Sequence, residues 1–261
     1  MNIDFEQART QYREKGFWQS DSIFDELRVE QINMAMDDVM DGLYDTGIQA
    51  RDTAGPGFNA KDTIRDINMV HLANSDIAEL VCDPALIDIL AGLFDAKALQ
   101  IWGSQLFHKP PALSRKCNIG WHQDFYFHGK FFAPESEIFT VWIAMSDVAE
   151  NSGPVRMVPG SHKWGFYDIQ STPKEYVLQQ LTAAQSRQWQ EQPVVLAPGA
   201  FSVHHTLTYH GSYSNLSDQP RRCIALRMRT DKSTPCQGAK LDLKNTDAYP
   251  VVFGSEADLL Y

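Results

Sequence analysis

Residues Trp121 to Phe125 read WHQDF, and Thr208 to Ser212 read TYHGS. His122 and Asp124 stand two apart, so on an extended strand both side chains leave the same face and their metal-binding atoms converge. A third ligand must come from another strand, and His210, at the end of an apolar run and before the turn-like GSYSN, is placed for that. Two imidazoles and one carboxylate occupy one face of an octahedral ion, leaving three positions for a co-substrate and dioxygen; this is the pattern of non-haem Fe(II) chemistry. An HxD pair alone is common by chance and more often marks a surface or core histidine than a ligand. The chain also holds His71, His108, His128, His162, His204 and His205. Adjacent strand residues face opposite sides, so at most one of His204 and His205 points inward. His204 stays open as an alternative to His210.

Eleven residues beyond His210 lies Arg221, within DQPRRCIALRM. On the next strand of a hairpin it returns to the metal's side, where a guanidinium grips a carboxylate in bidentate fashion. Ser212 can add a hydroxyl to the same carboxylate. Taken singly, Arg221 and Arg222 read as solvent-facing charges, and only the neighbouring histidine shifts that balance. Arg227 shares strand parity with Arg221 and is a candidate contact for an anionic substrate group.

These residues need a scaffold of strands. From about Leu99 the chain runs through LQIWGSQLF, IGWHQDFYF, IFTVWIAM, PVRMVPG, PVVLAPGAFSV and RCIALRM, short apolar or alternating stretches separated by turn residues. One helical insertion, near 174–192, interrupts them. Many strands without βα alternation predict an antiparallel sandwich or jelly roll. Residues 1–96 read as mainly helical. Val29, Ile32, Met36, Val39 and Leu43 recur at helical spacing after the capping residues Asp21 and Ser22, with an end near Gly47. A short helix is expected from Asp76, and Asp83-Pro84 opens another. The stretch 48–62, rich in Gly, Pro and Asp, reads as a loop that could serve as a lid. In NSGPVRMVPGSHKWG two turns bracket a short strand, and His162 is a turn residue rather than a fourth ligand.

With 261 residues, 43% of them apolar and 21% charged, the chain suits one soluble domain spanning 1–261. A net charge of −10 disfavours nucleic acid and anionic membranes and points to a small-molecule partner. Four cysteines without CxxC spacing fit reduced thiols, and no apolar leader or long apolar run occurs, so a cytoplasmic protein is expected. Oligomeric state is not legible.

Together, GSQLFHKPP (Gly103 to Pro111), WHQDF, NSGPVRMVPGSHKWG (Asn151 to Gly165) and HGSYSNLSDQPRR (His210 to Arg222) resemble the phytanoyl-CoA dioxygenase family of Fe(II)- and 2-oxoglutarate-dependent oxygenases. The resemblance implies a mainly β fold with helices: a double-stranded β-helix, the cupin-like jelly roll, with supporting N-terminal helices. It implies that His122, Asp124 and His210 are the iron ligands and the catalytic centre, and that Arg221 and Ser212 anchor the distal carboxylate of 2-oxoglutarate. Within GSQLFHKPP, Gln105 is a candidate for the metal-proximal end of that co-substrate and Lys109 for a substrate anion, although a surface role is the default for a lysine. The implied activity is hydroxylation of an unactivated C–H bond with release of succinate and CO2. Related halogenases replace the carboxylate ligand with a small residue, so Asp124 favours hydroxylation; desaturation and cyclisation stay open. An acidic chain without a basic cluster disfavours a CoA thioester and favours a small metabolite, such as an amino-acid-like compound, a phosphonate or a natural-product intermediate. The competing expectations are a zinc-dependent hydrolase using the same ligands and a non-catalytic ligand-binding barrel.

Overall fold

A computed structural model describes residues 3–52, 63–112 and 117–261. The N-terminal helices begin and end on side chains suited to the task. Asp4 caps α1 (Phe5–Lys15) by accepting from the amides of Glu6 and Gln7. After β1 (Phe17–Gln19), helix α2 (Glu26–Asp41) buries Val29, Ile32, Met36 and Val39. Its cap is Asp25 rather than Asp21 or Ser22, and it stops at Gly42 in the left-handed region, one turn before Gly47, leaving Leu43 exposed. Strands β2 (Arg51–Asp52) and β3 (Arg65–Asn68) follow, then α3 (Val70–Ala73), α4 (Ser75–Val81) and α5 (Pro84–Phe94). Asp83 caps α5, accepting from the amides of Ala85 and Leu86, with Pro84 in the first turn as expected. Of the stretch proposed as a lid, 53–62 lies outside the described residues.

The second part runs β4 (Leu99–Lys109), β5 (Ile119–His122), α6 (Phe125–His128), β6 (Ile138–Ala144), β7 (Val155–Met157), α7 (Lys174–Gln180), α8 (Ala183–Gln188), β8 (Gln192–Pro193), β9 (Phe201–His205), β10 (His210–Ser212), β11 (Arg221–Thr230) and β12 (Val251–Phe253). Two antiparallel sheets form the jelly roll. The larger has the order β1-β9-β6-β11-β4-β3-β2, with β12 also on β4, and the smaller is β5-β10-β7-β8. The first third, read as mainly helical, therefore also supplies β1, β2 and β3 to the large sheet. None of the four cysteines is in a disulfide, and no described helix is long and apolar enough to cross a membrane.

Strand parity divides the large sheet into two faces. Phe139, Val141 and Ile143 of β6, Phe201 and Val203 of β9, and Ile224, Leu226 and Met228 of β11 join the core packed under α2, α4 and α5. Phe94 at the end of α5 stacks on Phe139 with ring centroids 3.9 Å apart, and Tyr12 meets Phe94 edge-on at 5.1 Å. The alternate residues Thr140, Trp142, His204, Ala225 and Arg227 face the other way and line a cavity beneath the smaller sheet. The helical layer thus anchors the sheet without entering the cavity. Phe94→Ala is expected to cost about 3–5 kcal/mol in equilibrium urea unfolding, while the folded protein keeps its affinity for a divalent metal at His122, Asp124 and His210.

Candidate metal centre

His122 ends β5 and His210 begins β10, and the two residues are direct cross-strand partners. Their ring centroids lie 4.2 Å apart. Each imidazole is turned by its own backbone: Nδ1 of His122 donates to the carbonyl of Gly120 (2.8 Å), and Nδ1 of His210 donates to that of Thr208 (2.9 Å). A carbonyl only accepts, so the proton sits on Nδ1 and Nε2 presents a lone pair. Strand β5 can hold this position because Gly120 lies directly against the backbone of Ser171 and Thr172. A Cβ there would come within 2.5 Å of the Thr172 amide.

Asp124 arrives by a different route from the one its spacing predicts. The strand stops at His122, and Asp124 has helical angles at the start of α6, whose turn is closed by the His128 amide donating to the Asp124 carbonyl. Gln123 forces the change of direction, its side chain donating to the carbonyls of Gly165 and Leu207 and accepting from the Tyr167 amide. The shared face expected from two-residue periodicity is instead produced by a strand-to-helix turn. Asp124 Oδ1 lies 3.8 Å from Nε2 of His122 and 3.6 Å from Nε2 of His210. Oδ2 is held from behind, accepting from the Thr140 hydroxyl at 2.6 Å and from Nε2 of His204 at 3.1 Å.

His204 is therefore the inward-pointing member of the 204–205 pair, but it supports the carboxylate. His205 is on the opposite face, its ring 5.4 Å from that of His162, and His162 contacts the Arg13 carbonyl far from the trio. Burial, and next the neighbouring His122, pushes His210 down to about 3, and burial also lowers His122, so both rings are neutral. Burial alone would raise Asp124, but His210 and the hydrogen bond from His204 hold it well below the usual carboxylate range. Two neutral imidazole nitrogens and one carboxylate oxygen, within 4.8 Å of one another, form a donor set that fits a divalent first-row metal. Thr140 and His204 orient its anionic member.

A cavity of about 630 Å³ opens in front of these atoms. One part of its wall is the buried guanidinium of Arg221, with Lys109 beside it on the neighbouring strand. Arg221 is 1% exposed, donates through one terminal nitrogen to the Gly153 carbonyl (2.7 Å), lies 5.1 Å over the Trp142 ring, and among the described residues leaves Nε without a partner. Lys109, its partner across β4 and β11, is fully buried and donates to the Ser212 hydroxyl (2.5 Å) and the Tyr213 carbonyl (2.7 Å). Among the described residues no carboxylate is in ion-pair contact with either cation. Lys109 is thus no surface lysine. Nor is Arg221 the return strand of a hairpin: β10 belongs to the small sheet and β11 to the large one, and the residues between them cross from one to the other.

Gln105 also faces the cavity, but both ends of its amide are engaged, Nε2 by Asp66 and Oε1 by Arg227. Thr140, His204 in its supporting role and Asp66 acquire a place here that spacing did not reveal, and Lys109, named for a substrate anion, is found buried beside Arg221. For Thr140 the signal was strand parity within IFTVWIAM; for Lys109 it was the adjacent PP, which marks the strand's end but not its burial. If Thr140 orients the carboxylate, Thr140→Val is expected to lower divalent-metal affinity about 10–100-fold without loss of fold, as read by competition with a chromophoric chelator.

The phytanoyl-CoA dioxygenase family pattern matches residues 12–223 of the chain. Among curated proteins, an ectoine dioxygenase of Bordetella bronchiseptica is 27% identical over 243 residues, covering 85% of this chain and 74% of that protein. A dioxygenase of Gibberella moniliformis is 24% identical over 231 residues, with coverages of 81% and 69%. Among solved structures, EctD from S. alaskensis with bound Fe superposes with a TM-score of 0.69 at 20% identity, covering 92% of this chain and 79% of that one. The 2-oxoglutarate-dependent carbocyclase of nogalamycin biosynthesis gives 0.70 at 22% identity, with coverages of 92% and 88%. These structures share the jelly-roll fold, and the match over most of the sequence settles the wider relation: the chain belongs to the phytanoyl-CoA dioxygenase family of oxygenases that use Fe(II), 2-oxoglutarate and dioxygen.

Proposed function

We propose that His122, Asp124 and His210 hold the Fe(II), that Arg221, Ser212 and Lys109 receive the distal carboxylate of 2-oxoglutarate, and that the enzyme hydroxylates an unactivated C–H bond of a small metabolite. The observation that carries this reading is the pairing, in one cavity, of a neutral-neutral-anionic donor trio with the buried guanidinium of Arg221, which has Lys109 as its cross-strand neighbour and, among the described residues, no carboxylate in ion-pair contact. Bound iron and 2-oxoglutarate supply the oxidising power, the co-substrate leaving as succinate and CO2 while the substrate gains a hydroxyl from dioxygen. The chain's own residues orient and exclude. Thr140 and His204 keep Asp124 turned so that Oδ1 faces the two Nε2 atoms. Arg221, its guanidinium braced by Gly153 and Trp142, has Nε and its second terminal nitrogen to offer to a carboxylate. Lys109 fixes the Ser212 hydroxyl beside it. Trp102, Phe127 and Phe131 line the same cavity and keep it apolar.

A cavity of about 630 Å³ has the size of a small-ligand site. The similarity to ectoine dioxygenases, enzymes that act on a small molecule, supports a small metabolite over a bulky thioester. Gln105, engaged by Asp66 and Arg227, stands on the wall that the substrate would meet rather than at the carboxylate end. A cytoplasmic location and the single-domain organisation over 1–261 are part of the same proposal.

Anaerobic titration of apoprotein with Fe(II) and then 2-oxoglutarate should give a saturable visible charge-transfer band. The band is lost in Asp124→Ala. In Arg221→Ala it saturates only at about tenfold higher 2-oxoglutarate or more, since a hydrogen bond to a charged group is worth about 1.5–3 kcal/mol. No band from folded, iron-loaded native protein would reject the co-substrate assignment.

Lys109 gives a pH dependence. Burial first, and then the nearby Arg221, holds its amine down to about 6. An arriving carboxylate favours the protonated amine and raises that value, so binding takes up a proton whenever the solution lies between the two. 2-Oxoglutarate affinity is therefore highest near or below pH 6 and declines as pH rises through that window. Calorimetry at about pH 7.5 in buffers of different ionisation heat should register uptake of up to one proton, absent in Lys109→Met; zero uptake in the native protein would contradict it.

A further inference from the structure

Three adjacent strands of the large sheet, β3, β4 and β11, bring an acid, an amide and a base to the cavity wall. Asp66 comes from β3, Gln105 from β4 and Arg227 from β11. Gln105 stands between the two charges: its Nε2 donates to Asp66 Oδ1, and its Oε1 accepts from Arg227 at 2.5 Å. The other Arg227 terminal nitrogen donates to Asn68 Oδ1 at 3.1 Å. The strand partner of Arg227 on β4 is Gly103, over which the Arg227 side chain lies. Both partners of the guanidinium are neutral amide oxygens. Among the described residues, neither Asp66 nor Arg227 is in ion-pair contact with an opposite charge.

A half-buried acid and a half-buried base on strands either side of β4 would lower each other's desolvation cost most by direct pairing. Here an amide stands between them, so each retains hydrogen-bonding capacity among the described residues: Asp66 keeps Oδ2, and Arg227 keeps three of its five N–H groups, and both residues line the cavity. The arrangement is a fixed dipole, negative at Asp66 and positive at Arg227. It is also close to the reaction centre. On its second side Arg227 faces Thr140, the residue whose hydroxyl holds Asp124.

We propose that Asp66 and Arg227, spaced by Gln105, form a socket for a zwitterionic substrate, with the anionic group on Arg227, the basic group at Asp66 and the carbon skeleton against Trp102 and Phe131. The proposal rests on the oxygenase assignment and narrows its substrate class to small molecules carrying both charges. Neutral molecules and single-charge acids leave at least one half-buried pole without a partner. A compound with the charges a few bonds apart matches a socket whose poles are one amide apart.

The test uses matched sets of probes, each a zwitterion with its cation-only and anion-only analogues, such as proline, prolinamide and cyclopentanecarboxylate. Binding to the whole apoprotein is measured by calorimetry, so the readout does not depend on turnover. In at least one set the zwitterion should bind about tenfold tighter than either analogue. Arg227→Gln should remove most of that affinity, and Asp66→Asn should bring the zwitterion down to the level of the anion while leaving the anion unchanged. If Asp66 is only a counter-charge to Arg227, Asp66→Asn instead tightens the anion and spares the zwitterion, which overturns the proposal. Failure of every zwitterion to out-bind its single-charge analogues also overturns it. The charge-transfer titration, run on native protein and both variants, separates the outcomes. A native band with no charge preference sinks the socket alone, whereas absence of the native band sinks the oxygenase reading, and a band kept in the variants shows that they fold.

Discussion

A carboxylate taken out of water keeps its charge only if the protein replaces the donors it loses, and Asp124 meets that condition with one oxygen only. Oδ2 receives the Thr140 hydroxyl and His204, whereas Oδ1 faces two imidazole nitrogens whose protons are on the far side of their rings. Three lone pairs converging in a buried space repel one another, and a cation is what makes the arrangement favourable. The rest of the architecture serves that convergence. Thr140 and His204 stand on β6 and β9 in the large sheet, His122 and His210 on β5 and β10 in the small one, and Asp124 on the turn between β5 and α6. The carboxylate is thus a tie between two sheets as well as a metal donor. The helical layer behind β6 and β9 holds the supporting residues still through contacts that never reach the cavity.

How far this could be read from the sequence depended on the range of the interaction. Helix caps are local, and Asp83-Pro84 opens α5 where its chemistry places it, although α2 takes Asp25 rather than Asp21 or Ser22 as its cap. The ligand trio was legible because the residue types are rare in combination, yet the reason given for His122 and Asp124 sharing a face was the wrong one. The IGWHQDFYF run has strand-like composition throughout, and what ends the strand is the Gln123 amide reaching Gly165 and Leu207, partners 42 and 84 residues away. No periodicity within nine residues could carry that. The same applies to β1 and β3, short strands in a stretch read as mainly helical, whose existence depends on pairing with β9 and β4. Arg221 was expected on a hairpin with His210, but the chain changes sheets between them. The guanidinium still reaches the cavity because the two sheets close over it.

Composition was informative about the surface and silent about the interior. A net charge of −10 argues against polyanionic partners, but the chain buries several cations, and their partners distinguish their uses. Arg65 is in contact with Asp52, an internal ion pair. Arg229 donates to Gln100 and the Leu260 carbonyl and lies over Tyr261, so its charge fastens the C-terminal segment to β11. Arg221, Lys109 and Arg227 are different. Arg221 and Arg227 line one cavity, with Lys109 beside Arg221, and all three bond only to neutral oxygens among the described residues and keep N–H groups that none of these uses. Taking a charge out of water this way is costly unless an anion arrives to meet it, and the cavity has two such places, one at the buried Arg221 and one at the half-buried Arg227. Two anionic groups on two molecules, each positioned against the same metal set, are what a reaction between a co-substrate and a substrate requires. The acidic surface leaves that internal demand intact, because the fields that select a ligand are those of the few groups it touches in a space water does not screen.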